Sequence, residues 1–197
     1  MNHVEVFKAR GALHLKGLVS RDTCKFITHL MMLKHACYST GGDSQVPNSI
    51  GVSHGELSNE VLLETLWPTI EEAVGEELIP TYSYSRVYGN GDDLKKHTDR
   101  PACEVSCTIQ LGRSHHYAWP IYMGGYRFDL AEGDGVIYSG CDVMHWREVC
   151  NGPEGYYSGQ VFLHYVRANG PHKEHAGDRR WENLPFRRHR TRLMENK

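Results

Sequence analysis

No run of apolar residues in this chain approaches the roughly 20 that a membrane-spanning helix needs. The first ten residues hold Glu5, Lys8 and Arg10 and no long apolar stretch, so they do not read as a secretion signal. No internal repeat is visible, which excludes solenoid and propeller arrays. Net charge is only −2, which gives no overall pull toward nucleic acid or an anionic membrane. Phenylalanine is scarce, with 5 residues against 11 tyrosines, so many aromatic side chains carry a polar tip suited to a polar-lined cavity or a wet surface. The six cysteines, at 24, 37, 103, 107, 141 and 150, read without a secretion signal as reduced thiols of a cytoplasmic protein.

What is present fits one folded unit. The apolar fraction of 40% is enough for one sizeable core. Charge is uneven. From residue 171 onward there are eight Lys/Arg against four Asp/Glu, so this stretch is +4 and the remainder −6. The expected organisation is a single domain over 1–170, helical to about 79 and β-rich from 80, followed by a basic tail over 171–197. A solvated tail is the default reading, and binding of an acidic partner is the alternative.

Residues 12–19 alternate partially and predict a short strand. Ser20 is a candidate N-cap for a helix of about four turns, with Phe26, Ile27, Leu30, Met31 and Leu33 as its apolar stripe. The Gly/Ser/Asn-rich stretch 39–55 predicts a loop, long enough to act as a lid or binding element. A second helix begins near Ser58, and Pro68 should kink or restart it. From residue 81 onward, short segments rich in β-branched and aromatic residues alternate with turn signals. They predict an antiparallel sandwich or barrel. The expected class is α+β, mainly β, with two N-terminal helices packed outside a double-sheet barrel.

His97-Thr98-Asp99 sets an imidazole and a carboxylate two residues apart. In an extended chain such residues share a face, so one segment can give two ligands to one ion. Two His and one carboxylate on one face suit iron(II), with three coordination positions left for a chelating cosubstrate and oxygen. The His-x-acid pattern occurs three times, also at His54-Gly55-Glu56 and His172-Lys173-Glu174. Only His97 leads into a β-rich segment. His145, after the Gly133-Asp134-Gly135 turn and the strand Val136–Tyr138, is the best third ligand. His115, His116 and His164 are its rivals. A zinc set drawing on Cys103 and Cys107 with His97 or His116 is a competing reading, but it has no second local pair. Trp119 and Trp146 could line a pocket or simply be core.

Between Tyr84 and Val166 the chain resembles the double-stranded β-helix (jelly-roll, cupin-like) core of iron(II)/2-oxoglutarate-dependent dioxygenases, in particular the prolyl-hydroxylase-like branches. The resemblance rests on Arg86-Val87-Tyr88-Gly89, Leu94 and His97-Thr98-Asp99; on the strand Ser106–Leu111; on Leu130-Ala131-Glu132-Gly133-Asp134-Gly135-Val136-Ile137-Tyr138; and on the position of His145. It implies His97, Asp99 and His145 as metal ligands and catalytic centre, with iron(II), 2-oxoglutarate and O2 as reactants and ascorbate a candidate reductant. The implied reaction hydroxylates an amino-acid side chain in a protein or a small molecule and releases succinate and CO2. Prolyl hydroxylation is one option. A nucleic-acid partner is not expected, because the core is acidic and carries no basic stripe with stacked aromatics.

The pattern departs from the family at Gln160. This neutral amide, 15 residues after His145, stands where the resemblance implies Arg or Lys for the distal carboxylate of 2-oxoglutarate. Tyr88, nine residues before His97, matches a tyrosine that touches 2-oxoglutarate in several branches. Arg86 should share its face. Arg86 and Tyr88 are therefore the expected cosubstrate residues, with Arg147 second and Arg113 third. The 39–57 loop and Arg113–Tyr117 are expected to close over substrate. The alternatives are a related barrel that has lost catalysis, or a cupin-like metal protein that uses no 2-oxoglutarate.

Overall fold

The computed structural model describes residues 1–182, so most of the basic tail, 183–197, lies outside the described residues. Two antiparallel sheets face each other. The larger has six strands in the order β1 (Ala12–Leu15), β8 (Gly135–Ser139), β5 (Val105–Arg113), β10 (Tyr157–Arg167), β3 (Leu78–Gly89) and β2 (Ile50–His54). The smaller has the order β4 (Leu94–His97), β9 (His145–Arg147), β6 (Ile121–Met123) and β7 (Tyr126–Phe128). No described helix is long and apolar enough to cross a membrane.

Strand parity sorts the side chains. On β10, Val161, Leu163 and Tyr165 face outward and join Val87, Cys107, Ile109, Leu111 and Ile137 in the main core. The alternate residues Ser158, Gln160, Phe162 and His164 face inward, toward the smaller sheet. In register they stand beside Tyr88, Arg86, Tyr84 and Tyr82 of β3. On the other flank Gln160, Phe162 and His164 stand beside Gln110, Thr108 and Ser106 of β5. Both faces of the large sheet are covered, so its central strands are buried along almost their whole length. The outer face is aliphatic and the inner face polar and aromatic. That period-2 difference builds a lined cavity rather than a second oily core.

Helices α2 (Arg21–Tyr38) and α3 (Leu57–Val74) cover the outer face. Ser20 caps α2 by accepting from the Thr23 amide at 3.2 Å. The buried stripe of α2 is Cys24, Ile27, Thr28 and Met31, while Phe26 and Leu33 are 66% and 52% exposed. The expected stripe was therefore rotated. Two residues turn a helix by roughly 200°, so Phe26 cannot share the face of Cys24. Helix α3 runs unbroken through Pro68. Leu62, Leu63 and Leu66 before it and Ile70, Ala73 and Val74 after it are all buried, and this packing holds the helix across the missing backbone donor. A further helix was not expected: α1 (His3–Arg10), closed by a reciprocal capping box between Asn2 and Glu5. It has almost no amphipathic pattern to signal it, and Phe7 is its one buried residue.

The expected loop 39–55 is part strand. Ile50–His54 forms β2, which pairs with β3 and brings His54 to the rim of the inner face. The turn before β8 is held by Asp134. Its carboxylate accepts from the Gly17 and Ala131 amides and lies 3.0 Å from His14 Nε2. Gly133 there has φ +87°, and a Cβ would lie 2.2 Å from the Val19 carbonyl, so only glycine fits. Residues Lys173–Glu182 form a 3-10 segment against β3 and β10, with Asp178 paired to Arg100 at 2.8 Å.

Candidate metal centre

β4 and β9 are neighbours in the smaller sheet, and their register sets His97 directly opposite His145. The rings sit with centroids 4.2 Å apart. Asp99 follows β4, where its amide donates to the Gly140 carbonyl at 2.8 Å. Its Oδ1 then lies 3.7 Å from His97 Nε2 and 3.4 Å from His145 Nε2. These separations are slightly wider than the roughly 3 Å between adjacent ligands of an octahedral ion with bonds near 2.1 Å. Gly140 leaves room for this carboxylate. A Cβ there would meet Asp99 Oδ2 at 2.6 Å and the Cys103 carbonyl at 2.1 Å.

The hydrogen bonds fix the tautomers. His97 Nδ1 is 2.7 Å from the Lys95 carbonyl, and His145 Nδ1 is 2.9 Å from the Val143 carbonyl. A carbonyl only accepts, so both Nδ1 atoms carry a proton and both Nε2 atoms face Asp99. Burial works against the charge on Asp99. Hydrogen bonding and charge from His145, then the charges of His164 and His97, outweigh it and hold the carboxyl below its usual range. Burial and the neighbouring His145 push His97 below the usual imidazole value. Two imidazole nitrogens and a carboxylate make a donor set that fits iron(II). His97 Nε2 also accepts from Gln45 Nε2 at 3.0 Å. An ion at this position takes that lone pair, so Gln45 must swing aside.

The triad lines a cavity of about 370 Å³ between the sheets. Arg86 and Tyr88 of β3 line it too, on the same inward face. Arg86 is 3% exposed. Its Nη2 donates to Asp43 at 2.7 Å and to Gln45 Oε1 at 3.0 Å, while Nε and Nη1 have no partner among the described residues. The rings of Tyr84, Tyr88 and Phe162 surround the guanidinium. The Tyr88 hydroxyl is buried and unpartnered, and burial raises its pKa. Three buried donors without acceptors, in the cavity that the candidate triad lines, fit an anionic ligand such as a carboxylate.

The other expected residues fall elsewhere. Gln160 is fully buried and hydrogen-bonded to Gln110 and Ser158, and it does not line the cavity. It is, however, the register partner of Arg86, so the cation sits one strand over from the place where the amide stands. Arg147 is also buried off the cavity. It donates to the Trp119 carbonyl at 2.7 Å, packs on the Trp119 ring, and leaves Nε and Nη2 unpartnered. Burial lowers its pKa. Arg113 staples the Tyr117 and Leu130 carbonyls and, with Arg113–Tyr117, borders a separate cavity rather than the metal site. Trp119 packs against Tyr88, and Trp146 faces out and stacks on Tyr122. Cys107 is in the outer core and Cys103 lines the cavity, so the zinc set is not assembled. All six cysteines are free thiols. The sequence did not single out Asp43, Gln45, Arg100 or Cys103 as lining residues, and His54 stood there only as a decoy. The loop residues among them carry no periodicity that could have marked them.

No protein-family model matches the sequence, and no curated protein matches it. Solved structures do match. A prolyl-4-hydroxylase from Pseudomonas putida superposes with TM-score 0.65 at 12% identity, covering 83% of this chain and 96% of that one. HygX from Streptomyces hygroscopicus, solved with nickel and 2-oxoglutarate bound, gives 0.64 at 12% identity over 85% and 87%. A Trichoplax adhaerens prolyl hydroxylase in complex with a hypoxia inducible factor peptide fragment gives 0.66 at 11% identity over 89% and 90%. The fold is a double-stranded β-helix, shared with these structures. Identity this low speaks for the double-stranded β-helix and leaves the chemistry to the residues lining it.

Proposed function

We propose that this protein is an iron(II)- and 2-oxoglutarate-dependent oxygenase that hydroxylates a small molecule or an amino-acid side chain of a protein. One observation carries the reading: His97, Asp99 and His145 line the same cavity as the unpartnered donors of Arg86 and Tyr88. His97 and His145 would each give Nε2 and Asp99 one oxygen to the iron. When bound, iron and 2-oxoglutarate supply oxygen activation coupled to loss of CO2, leaving succinate. The chain's own part is placement. Arg86 and Tyr88 hold the distal carboxylate by charge-assisted hydrogen bonds in a site sheltered from water. Asp43, with the Tyr84 hydroxyl, fixes the guanidinium from its other side. Tyr82, Tyr84, Phe162 and His164 wall the cavity beside the metal ligands, where substrate would sit. Residues 1–170 would form the oxygenase unit and 171–197 an appended tail.

A cupin-like metal protein without 2-oxoglutarate is the second reading, favoured by Gln160 at the position of the usual basic residue. Succinate release separates the two. The oxygenase consumes 2-oxoglutarate under oxygen with iron(II), and His145→Ala abolishes turnover. Full turnover by that variant, or iron-loaded wild-type protein that leaves 2-oxoglutarate intact, contradicts the proposal.

A further inference from the structure

Two donors that the triad does not use line the same cavity. Cys103 ends the short 3-10 turn Pro101–Cys103 and is 3% exposed. His164 projects from the inner face of β10 and is 6% exposed. One ligand atom of each, together with a carboxylate oxygen of Asp99, lies within 4.8 Å of the others. Asp99 divides its oxygens between two sides. Oδ1 faces the Nε2 atoms of His97 and His145, at 3.7 and 3.4 Å. Oδ2 accepts from Ser106 Oγ at 3.1 Å, and that hydroxyl is 2.8 Å from His164 Nδ1. Oδ2 therefore looks toward the His164 side.

We propose that Asp99, Cys103 and His164 form a second cation subsite, selective for a thiophilic divalent ion such as zinc, which shares Asp99 with the iron triad. The inference rests on the oxygenase reading only through that shared carboxylate. The donor types set the preference. Sulfur, imidazole and one carboxylate suit zinc or cobalt(II), while an ion that favours oxygen gains little from the thiol. Bonds near 2.3 Å to sulfur and 2.1 Å to nitrogen put tetrahedral donors about 3.6 Å apart, so the three need to close by at most about 1 Å. The cavity gives room for that movement and for a water as fourth ligand. The thiol now lies 3.1 Å from the Tyr82 hydroxyl. On binding, the S–H proton leaves to solvent, the thiolate takes the ion, and Tyr82 donates to the sulfur.

Cobalt(II) is the probe, because a cobalt–thiolate bond adds a near-ultraviolet charge-transfer absorption that nitrogen and oxygen ligands do not give. The full chain with reduced thiols is titrated anaerobically. Wild type should develop the thiolate band. His97→Ala, which cripples the triad, should keep it. Cys103→Ser should lose the band yet still bind cobalt at the triad, read by competition with a chelating dye. His164→Gln should weaken the thiolate-forming phase at least about tenfold, since even the outer partners of metal ligands are worth that much. A wild-type protein without the band at excess cobalt overturns the subsite. So does a band that survives Cys103→Ser, or one that His97→Ala abolishes, since the thiol would then belong to the triad's ion. Cys103→Ser protein that binds no cobalt at all would instead refute the triad and leave the thiol site standing.

Discussion

Replacing Arg86 with glutamine should separate cosubstrate binding from metal binding. Arg86 is buried, with Nε and Nη1 unpartnered on the cavity wall and the Tyr88 hydroxyl unpartnered beside them. A carboxylate seated there takes one charge-assisted hydrogen bond from a free guanidinium N–H and one from the Tyr88 hydroxyl, each worth about 1.5–3 kcal/mol. Glutamine, shorter and uncharged, loses the guanidinium bond. The net loss is about 2 kcal/mol, or roughly thirtyfold in 2-oxoglutarate affinity. Asp43 retains its bonds to the Tyr84 hydroxyl and to the Gln45 and Val46 amides, so the loop should stay in place. The assay is calorimetric titration of 2-oxoglutarate into protein loaded with manganese(II) under nitrogen, with manganese affinity measured alongside. The expected result is weak cosubstrate binding with metal affinity near that of wild type. Unchanged 2-oxoglutarate affinity in a protein that still binds manganese refutes the assignment, and Arg147 then becomes the residue to test.

Other consequences follow from the same geometry. Gln45→Ala removes the donor that competes for His97 Nε2; about 1 kcal/mol of competition is relieved, so metal affinity should rise by up to roughly fivefold in a chelator competition. Gly140→Ala drives a Cβ into Asp99 Oδ2 and the Cys103 carbonyl; metal binding should fall by at least about tenfold, and a variant with wild-type affinity would show that the carboxylate is not held there. Burial lowers His164 to about 4, so folding favours its neutral form. That contribution is complete above the ordinary value of 6.5 and is lost as pH falls through 4. It amounts to roughly 3 kcal/mol. In chelator-treated protein the urea midpoint should fall over this window, and His164→Gln should flatten the decline.

Much of the β core was legible because its chemistry alternates with period 2. Apolar Val161, Leu163 and Tyr165 against polar Gln160 and His164 already marks two faces of one strand. The candidate ligand pair was legible because residues 97 and 99 are fixed by local chain geometry. His145 needed the register of β4 on β9, and a three-residue strand carries too little sequence to announce its own pairing. The helix faces were less readable. Phe26 is large and apolar yet exposed, because its angular position, not its hydrophobicity, decides what it meets. Asp43 and Gln45 were illegible for another reason. They reach the site across more than forty residues of sequence from a loop without period, and their partners Arg86 and His97 are defined only once β3 and β4 are packed. The place of the cation proposed for the cosubstrate lies between these cases. The parity of Arg86 with Tyr88 was visible, but that Arg86 stands across from Gln160 required the β3–β10 register.

The central claim is that one ion held by His97, Asp99 and His145 also binds 2-oxoglutarate. Anaerobic reconstitution with iron(II), followed by addition of 2-oxoglutarate, tests it most directly through the weak visible charge-transfer absorption of the chelate. The account predicts that the band appears in wild-type protein, weakens in Arg86→Gln at limiting 2-oxoglutarate, and is absent in His145→Ala. Iron demonstrably bound to wild-type protein with no band at saturating 2-oxoglutarate, or an undiminished band in His145→Ala, would contradict it.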